Sequence, residues 1–249
     1  MTAAVAQIWR HPVKGHGAEP VARTVLATGA TLPGDRVWAV AHEASAADGS
    51  SWAPCTNFSR GAKAPGLMAV GAMFDDGSGR LTLSHPDRPD LSLHPETEGD
   101  RLIDWARPLM PEGRAASARV IRVPGRGMTD TDYPSVSILS LSSLEALSRL
   151  AGVPLDPRRF RGNVWLDGVA PWEEFTWIGR RLRLGQAVVE LRERITRCRA
   201  TMADPLTGRI DVDTLALLQT HFGHRDFGVY GVVIEGGSLS RGDRAELLP

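Results

Sequence analysis

Glycine and proline recur along the whole chain and divide it into short segments. The 249 residues include 26 glycines and 17 prolines, which are scattered rather than clustered. This spacing favours many short strands joined by turns. Strand and helix patterns do not alternate over long stretches, so a doubly wound parallel sheet is not expected. We predict a mixed, β-rich fold of barrel or sandwich type with short peripheral helices.

Hydrophobic periodicity predicts the individual elements. Strands are predicted over 4–11, 18–26, 36–41, 67–74, 80–84, 91–94, 117–123, 163–166, 181–184, 187–195, 227–235 and 245–248. Helices are predicted over 99–107, 142–151 and 213–219. The second helix has a capping-box spacing between Ser142 and Glu145. The segment 42–66 lacks periodicity and is predicted to be a long surface loop. A composition shift near 107–114 predicts two domains, 1–110 and 111–249.

Charge and cysteine content exclude several classes of protein. Lys plus Arg and Asp plus Glu both number 29, which gives no support for nucleic-acid or membrane-surface binding. Two cysteines alone make no disulfide framework, zinc site or iron–sulfur cluster. The first residues lack the apolar run of a signal peptide, and no segment approaches a membrane span in length. We therefore expect a cytoplasmic protein.

Cys198 lies in a basic stretch, RITRCRATMADPLTG. Arg194, Arg197 and Arg199 are its neighbours in sequence, and nearby cations favour the thiolate that attacks electrophiles or binds metals. If the preceding strand continues, Arg197 and Arg199 share one face and Cys198 takes the other. The same local pattern also fits a small buried thiol that packs as a hydrophobic residue.

Two other basic segments are candidates for anion binding. In DPRRFRGN, an extended backbone would place Arg159, Arg161 and Asn163 on one face, which suits a phosphate or a polar heterocycle. In HPVKG, Gly15 would let backbone N–H groups approach an anion beside Lys14. On local sequence alone, solvated strand ends are the more common interpretation of both segments.

The turn Gly34–Asp35–Arg36 brings another arginine to the start of a strand. This turn is similar to the HPVKG segment, which carries Lys14. Asp35 and Arg36 are also compatible with a local ion pair worth less than about 1 kcal/mol.

Seven segments occur together in an order typical of one family. They are HPVKG (11–15), PGDRVW (33–38), ILSLSSLEAL (138–147), RFRGN (159–163), RCRATMADPLTG (197–208), FGVY (227–230) and SRGDRAEL (240–247). On these segments the sequence resembles the MOSC family, named after the C-terminal domain of eukaryotic molybdenum cofactor sulfurase. It is most similar to members with an N-terminal β-barrel domain, such as the mitochondrial amidoxime-reducing component and its bacterial relatives. The resemblance implies an N-terminal β-barrel-like domain over 1–110 and a MOSC β-barrel with short peripheral helices over 111–249.

The resemblance also implies a site for the molybdenum cofactor, a molybdenum-bound molybdopterin. Cys198 occupies the position of the family's motif cysteine, which supplies a thiolate to molybdenum, while the pterin dithiolene supplies the other sulfur ligands. A soft thiolate suits a sulfur-rich metal centre. The implied cofactor contacts are Lys14, Arg36, Asp132, Arg161 and Asn163, together with Cys198. Pyridoxal phosphate binding is a label attached to the family, and no residue of this sequence is assigned to it.

Three positions depart from the family pattern. Gly15 stands where relatives commonly have serine, which removes one hydroxyl contact. Gly162 replaces a proline, and we expect a looser turn there. Tyr133 and Pro134 follow Asp132 where a pair of hydroxyl residues is expected. These departures predict an altered contact with the cofactor phosphate.

Three functions remain open on this basis. The first is a molybdenum cofactor-dependent oxidoreductase that reduces N-hydroxylated or N-oxide small molecules. It would take electrons from a separate electron-transfer protein, because the sequence has no cysteine cluster for a ferredoxin domain. The second is a sulfur carrier or cofactor transfer module with a persulfide on Cys198. The third is a β-barrel binding protein in which Cys198 is structural. We expect no complete cofactor sulfurase, because no aminotransferase-like domain is recognised, and we interpret Cys55 as a spectator.

Overall fold

Sixteen short strands and three α-helices make up the fold of residues 3–249, which the computed structural model describes. The strands are β1 (Ala3–Arg10), β2 (Val13–Lys14), β3 (Glu19–Pro20), β4 (Arg23–Leu26), β5 (Trp38–His42), β6 (Gly71–Asp75), β7 (Arg80–His85), β8 (Arg88–Leu93), β9 (Ser117–Arg122), β10 (Val136–Ser140), β11 (Val164–Asp167), β12 (Arg181–Leu184), β13 (Ala187–Thr196), β14 (Asp226–Glu235), β15 (Gly237–Ser240) and β16 (Arg244–Leu247). The helices are α1 (Gly99–Ala106), α2 (Leu141–Ala151) and α3 (Thr214–Phe222).

Seven strands close a barrel in the order β1-β11-β10-β14-β13-β12-β16, with β16 pairing back onto β1. Only β10 and β11 run parallel; the other neighbours in the ring are antiparallel. Val5, Val164, Leu166 and Leu191 belong to one apolar core cluster and are fully buried. Trp165 lies between two of them in sequence but packs in a different cluster, with α2 and α3. This alternation is the period-two pattern of a strand buried on both faces.

The first strand belongs to the barrel although it begins at residue 3. It pairs antiparallel with β11 and β16, while β9, from the far side of residue 110, pairs with β5. Strands from one side of the expected boundary therefore pair with strands from the other side. The division into 1–110 and 111–249 stays a prediction about the chain.

A second apolar cluster underlies two three-stranded sheets, β2-β5-β9 and β6-β7-β8. Trp38 and Val40 both point into this cluster, whereas Ala39 and Ala41 pack in another, which is the alternation of a strand buried on both faces. The hairpin predicted over 67–84 is present as β6 and β7. The expected β-rich class, with barrel-type domains and short peripheral helices, is confirmed.

Some local predictions were wrong. Ser140, not Ser142, caps α2: its Oγ accepts from the backbone N–H of Ser143 at 3.3 Å, because the chain stays extended through Ser140. The strand expected over 18–26 is split into β3 and β4 just after Pro20, which has no backbone N–H for a ladder. Residues 42–66 are not a surface loop throughout, since Phe58, Ser59 and Ala64 are buried. Strands β2, β10 and β15 were missed.

None of the helices in residues 3–249 combines the length and apolar character needed to cross a membrane.

Candidate functional site

One cavity, of about 210 Å³, collects charged side chains from segments far apart in the sequence. Four of the residues expected at the cofactor site line it: Lys14, Arg36, Arg161 and Cys198. They come from β2, from the turn before β5, from the segment before β11 and from the end of β13. We refer to this cavity as the Cys198 pocket.

Cys198 is exposed in this pocket just beyond the end of β13. The strand ends at Thr196, and Cys198, with φ −115° and ψ 174°, precedes a 3₁₀-helix over Arg199–Met202. The strand therefore does not continue as expected, because Arg199 is already helical. The thiol is not the buried packing group that the local pattern also allowed.

Of the three neighbouring arginines, only Arg197 lines the pocket. Its guanidinium donates to the carbonyl of Phe227 (Nε, 2.8 Å) and to the carbonyl of Phe160 (Nη1, 2.9 Å). Arg194 instead lies over the ring of Phe175, 4.4 Å from its centroid. The expectation that three arginines crowd the thiol holds for one of them.

Arg36 and Arg161 occupy an unusual backbone conformation. Their φ values are 52° and 47°, and Trp172 is the other non-glycine residue with positive φ within residues 3–249. Such conformations cost on the order of 1–3 kcal/mol each and concentrate at functional sites. The two turns support each other, because Arg36 Nη2 donates to the carbonyl of Arg161 at 3.0 Å.

A buried network holds Arg36 in place. The carboxylate of Asp35 accepts from the backbone N–H of His11 at 2.7 Å, from His11 Nδ1 at 3.1 Å and from the Arg36 guanidinium. Burial opposes ionisation of Asp35, yet Arg36 and His11 hold the pKa of this carboxyl well below its usual value. Burial, with the field of Arg161, lowers the pKa of His11 to about 3, so its ring is neutral at physiological pH.

Lys14 and Asp130 form a second charged pair in the pocket. Lys14 Nζ donates to the carbonyls of Met128 (2.9 Å) and Thr129 (3.1 Å) and to Asp130 Oδ1 (2.5 Å). Partial desolvation opposes ionisation, but Lys14 and Arg36 together lower the pKa of Asp130 to about 2. The half-exposed Asp130 carboxylate is therefore ionised at neutral pH.

Asp132 does not line the pocket, which corrects the site expected from the family pattern. In this segment the buried Thr129 and Thr131 alternate with the exposed Asp130 and Asp132. Asp130 points to the pocket wall, whereas the carbonyl of Asp132 accepts from Arg126 at 2.7 Å. The acid at the site is thus two residues earlier than expected.

Asn163 lies behind the pocket rather than on its surface. It is buried, its Oδ1 accepts from Ser137 N–H (3.1 Å) and Oγ (2.8 Å), and its Nδ2 donates to the carbonyl of Trp9 (3.2 Å). It therefore ties together β1, β10 and the start of β11.

Arg159, Arg161 and Asn163 do not share one face, because Pro157–Phe160 is a 3₁₀-helix and not an extended segment. Arg159 is buried and makes two hydrogen bonds to the Asp211 carboxylate, at 2.7 and 2.6 Å. It thereby anchors the loop that follows Cys198.

Close packing explains two of the departures from the family pattern. Gly15 has φ +76°, and a Cβ there would be 2.7 Å from the carbonyl oxygen of Ser59. Serine would therefore displace the backbone that bears Ser59 and Arg60. At Gly162 a Cβ would be 2.2 Å from a methyl carbon of Leu139, so this turn is tightly packed and not loose.

Positive charge predominates in the pocket. Its lining contains six cationic side chains, Lys14, Arg36, Arg60, Arg159, Arg161 and Arg197, and one acidic side chain, Asp130. Burial, followed by the field of Arg36, lowers the pKa of Arg161 to about 9. Burial also lowers the pKa of Arg197 to about 10, with Arg36 contributing. The cations are thus close together and incompletely neutralised, which favours an anionic ligand.

Several lining residues were not predicted as site residues. Cys55, interpreted from the sequence as a spectator, lines the pocket, and its Sγ accepts from Arg60 Nη1 at 2.6 Å. The aperiodic loop around Cys55 gave no signal for this. Tyr230, from the FGVY segment, also lines the pocket, and burial together with Asp130 raises the pKa of its hydroxyl.

Within residues 3–249, no three His, Cys, Asp or Glu side chains are grouped closely enough to hold a metal ion by themselves.

Two family models match successive parts of the chain. The MOSC N-terminal beta barrel domain matches residues 2–118, and the MOSC domain matches residues 128–246. A curated relative, molybdenum cofactor sulfurase from Caenorhabditis briggsae, is 26% identical over 157 residues. The aligned region is 57% of this chain and 21% of that protein, so the chain spans about a fifth of its relative's length.

Solved structures that align with this chain have lower sequence identity. The YuaD protein from Bacillus subtilis aligns over 99% of this chain and 96% of its own, with a TM-score of 0.48 and 14% identity. YiiM from Geobacillus stearothermophilus aligns over 46% of this chain and 54% of its own, with a TM-score of 0.35 and 17% identity.

Proposed function

Because the chain belongs to the MOSC-domain proteins that carry the MOSC N-terminal β-barrel domain, we propose that the Cys198 pocket binds molybdenum cofactor and that the protein is an oxidoreductase. Both the MOSC domain and the distant sulfurase relative link the chain to molybdenum cofactor chemistry. The observation that carries the proposal is the convergence of an exposed thiol and six cations in one pocket.

The residues of the pocket fit this cofactor. An exposed cysteine offers the soft sulfur donor that molybdenum in a sulfur-rich centre prefers. The pterin phosphate needs cations, and Arg161 and Arg197 are buried beside Arg36, so burial first and the field of Arg36 second lower their pKa values. A phosphate would relieve this repulsion through charge-assisted hydrogen bonds.

Each residue of the pocket has a distinct task under this proposal. Cys198 would ligate molybdenum, while Lys14, Arg36 and Arg161 would meet the phosphate. When bound, the cofactor supplies two-electron oxygen-atom transfer. The substrates would be N-hydroxylated or N-oxide compounds, and a separate electron-transfer protein would supply the electrons. The Tyr230 hydroxyl keeps its proton at neutral pH, because its pKa is raised, and can donate a hydrogen bond to an incoming oxygen.

The first test measures molybdenum and pterin in protein purified without oxygen from a host that makes the cofactor. We expect near-stoichiometric metal and pterin in the parent protein, and loss of most of the metal in Cys198→Ala. Cys55→Ala is a matched control, because it removes the other thiol of the same pocket. We expect it to retain the metal.

Absence of both molybdenum and pterin from the parent protein would overturn the oxidoreductase proposal. Equal metal loss in both cysteine variants would show that Cys198 is not the specific ligand. If metal is present, reduction of benzamidoxime with a chemical electron donor tests the substrate class. If benzamidoxime is not reduced, the conclusion is restricted to cofactor binding.

The exposure of Cys198 also favours a second function, sulfur transfer. The Cys198 thiolate would attack the outer sulfur of a donor persulfide, and the donor's thiolate would leave. Cations beside the thiol favour the reactive thiolate. Mass spectrometry of freshly isolated protein separates the two functions. One extra, reducible sulfur atom on Cys198, without bound pterin, supports transfer, whereas an unmodified thiol after incubation with a small-molecule persulfide contradicts it.

A further inference from the structure

A strained turn lies outside the Cys198 pocket, directly before the 3₁₀-helix Glu173–Trp177. The backbone N–H of Glu173 donates to the carbonyl of Ala170 at 3.2 Å, which closes a turn with Pro171 and Trp172 at its centre. The φ of 66° and ψ of 5° at Trp172 match the third residue of a type II turn, a position that usually holds glycine. Tryptophan is strained there, so contacts with the surroundings must hold the turn. We refer to residues 170–173 as the Trp172 turn.

One buried hydroxyl ties the Trp172 turn to α2. Ser143 lies in the first turn of that helix, and its Oγ accepts from the backbone N–H of Trp172 at 2.8 Å. The same hydroxyl donates to the two carboxyl oxygens of Glu174, at 3.1 and 3.2 Å. The contact that holds the strained residue is therefore shared with the carboxyl group of Glu174.

Glu174 is buried without a cation. Its exposed fraction is 1%, and its side chain forms no ion pair within residues 3–249. Other buried acids of the molecule have such partners: Asp35 pairs with Arg36, and Glu19 with Arg10. A carboxylate in apolar surroundings is costly when one hydroxyl is its only side-chain donor.

The charged groups around Glu174 do not compensate it. Arg194 lies over the ring of Phe175, 4.4 Å from its centroid, and the His224 ring is 5.4 Å from the same ring. Glu173, the nearest other acid, adds negative charge. The remaining titratable groups on α2, β14 and α3 are paired with each other, bonded elsewhere or exposed: Glu145 with Arg149, Asp226 with Thr196, Glu235 and His221.

This environment changes the protonation of Glu174. Burial raises the pKa of its carboxyl to about 7, against hydrogen bonds from its own backbone N–H and from Ser143, and Glu173 adds to the rise. The ordinary value is 4.5. Between these two pH values the closed form keeps the proton that an opened form loses. The stability of the closed form therefore falls as the pH rises through this window and levels off above it.

The Trp172 turn also contacts a support of the Cys198 pocket. The Trp172 ring packs edge-to-face on Phe227, with centroids 5.5 Å apart and planes at 88°. The carbonyl of Phe227 accepts from Arg197 Nε at 2.8 Å, and Arg197 lines the pocket. The turn thus touches the residue that positions one of the pocket cations.

We propose that Glu174 is a pH-sensitive latch of the Trp172 turn. The protonated carboxyl keeps the contacts of Ser143 with Trp172 and Glu174 buried. When the proton passes to solvent, an uncompensated charge remains in apolar surroundings, and the strained turn opens so that water reaches the carboxylate. The latch requires no molybdenum, so it is independent of the proposed function.

The test is hydrogen exchange of the full chain at pH 5 and pH 8, followed by mass spectrometry and corrected for the intrinsic rate at each pH. The peptide that contains the Trp172 N–H reports opening of the turn. Glu174→Gln keeps the size and the acceptor oxygen but cannot ionise. We expect the ratio of opening in the parent protein to opening in Glu174→Gln to rise at least about tenfold from pH 5 to pH 8.

Two further variants make the test specific. Glu173→Gln removes the neighbouring acid, and we expect its ratio to the parent to change less than about twofold between the two pH values. Ser143→Ala removes the shared hydroxyl without changing a charge. We expect it to speed exchange of the Trp172 peptide at pH 5 at least about threefold, as loss of one hydrogen bond does.

The proposal is wrong if the parent and Glu174→Gln keep the same ratio at pH 5 and pH 8. It is equally wrong if Glu173→Gln changes the exchange as Glu174→Gln does, or if peptides of strand β13 open in parallel with the turn. Unchanged exchange in Ser143→Ala at pH 5 would contradict the role of the shared hydroxyl.

Discussion

The Cys198 pocket shares one turn with a second cavity but differs from it in electrostatics. This second cavity has a volume of about 520 Å³ and its lining includes Trp38, Phe74, Asp76, Glu96 and Arg122; we refer to it as the Trp38 cavity. The turn contributes Arg36 to the pocket and Gly34 to the cavity. In the Cys198 pocket six cations face one acid, whereas the acids of the Trp38 cavity are matched by Arg10 and Arg122. The difference does not lie in how many arginines are nearby. It lies in which groups hold the arginines in place.

Backbone carbonyls hold two of the six cations of the Cys198 pocket, whereas Lys14, Arg36 and Arg159 are paired with carboxylates. Arg161 donates to the carbonyls of Gly17 and Val13, and Arg197 to those of Phe227 and Phe160. A carbonyl fixes a guanidinium without cancelling its charge, which leaves that charge available to a ligand. Arg10, by contrast, is held by the carboxylates of Glu19 and Asp76, which cancel its charge. The partner of an arginine therefore decides whether it can serve as an anion-binding group.

Asp35→Asn is the change expected to disrupt this comparison most, because Asp35 supports the turn between the two cavities. The variant leaves the buried Arg36 beside a neutral amide, whose single oxygen can accept from His11 or from Arg36 but cannot serve both sides as the carboxylate does. Breaking one partner of a buried ion pair costs about 3–5 kcal/mol, and we expect a loss of that size in the free energy of unfolding. Urea denaturation near pH 7 measures it.

The loss should depend on pH in a defined way. The folded-state pKa of Asp35 is depressed below its ordinary value of 3.8, so its contribution is fully present above that value and decreases as the pH falls through it. Asp76→Asn is the matched control from the Trp38 cavity. Asp76 is 64% exposed, and its pair with Arg10 should contribute less than about 1 kcal/mol. Equal losses in the two variants would contradict the role given to Asp35.

The sequence located part of the Cys198 pocket because short segments with turn residues carry its chemistry. The segments around Lys14, Arg36, Arg161 and Cys198 could be recognised one by one, and their order implied a common site. The sequence suggested that Asp35 and Arg36 form an ion pair of the weak, exposed kind. Both residues are buried, which local sequence cannot show. The family resemblance indicated Asp132 and not Asp130, and which of these acids faces the pocket depends on the residues that pack beneath this aperiodic segment.

Other features depend on contacts between distant parts of the chain. The alternation in β5 places Trp38 and Val40 on one face of the strand, but it does not show what packs against that face. The edge-to-face contact of Trp38 is with Phe74 of β6, which lies far along the chain. The closure of the barrel by β1 is likewise a non-local pairing, with a register that no local pattern determines.

The smallest expected effect tests the charge difference directly. Asp130 is the one acid that lines the Cys198 pocket, and it pairs with Lys14 at 2.5 Å. In Asp130→Asn, Lys14 loses this partner and the pocket becomes more positive. We expect inorganic sulfate to bind about two- to fivefold more tightly to cofactor-free Asp130→Asn than to the cofactor-free parent, as measured by calorimetry, because the pair is half exposed and solvent screens it. Arg161→Gln should shift sulfate affinity in the opposite direction.

The pH profile and a control variant make this last expectation specific. Sulfate keeps its charge over the range used, and the pKa of Asp130 is about 2, so its carboxylate stays ionised from about pH 4 to pH 8. The ratio of affinities between Asp130→Asn and the parent should therefore be constant across that range. Asp76→Asn removes an acid from the Trp38 cavity and should leave sulfate binding unchanged. If both variants strengthen sulfate binding equally, the effect reflects overall net charge, and the distinction between the two cavities fails.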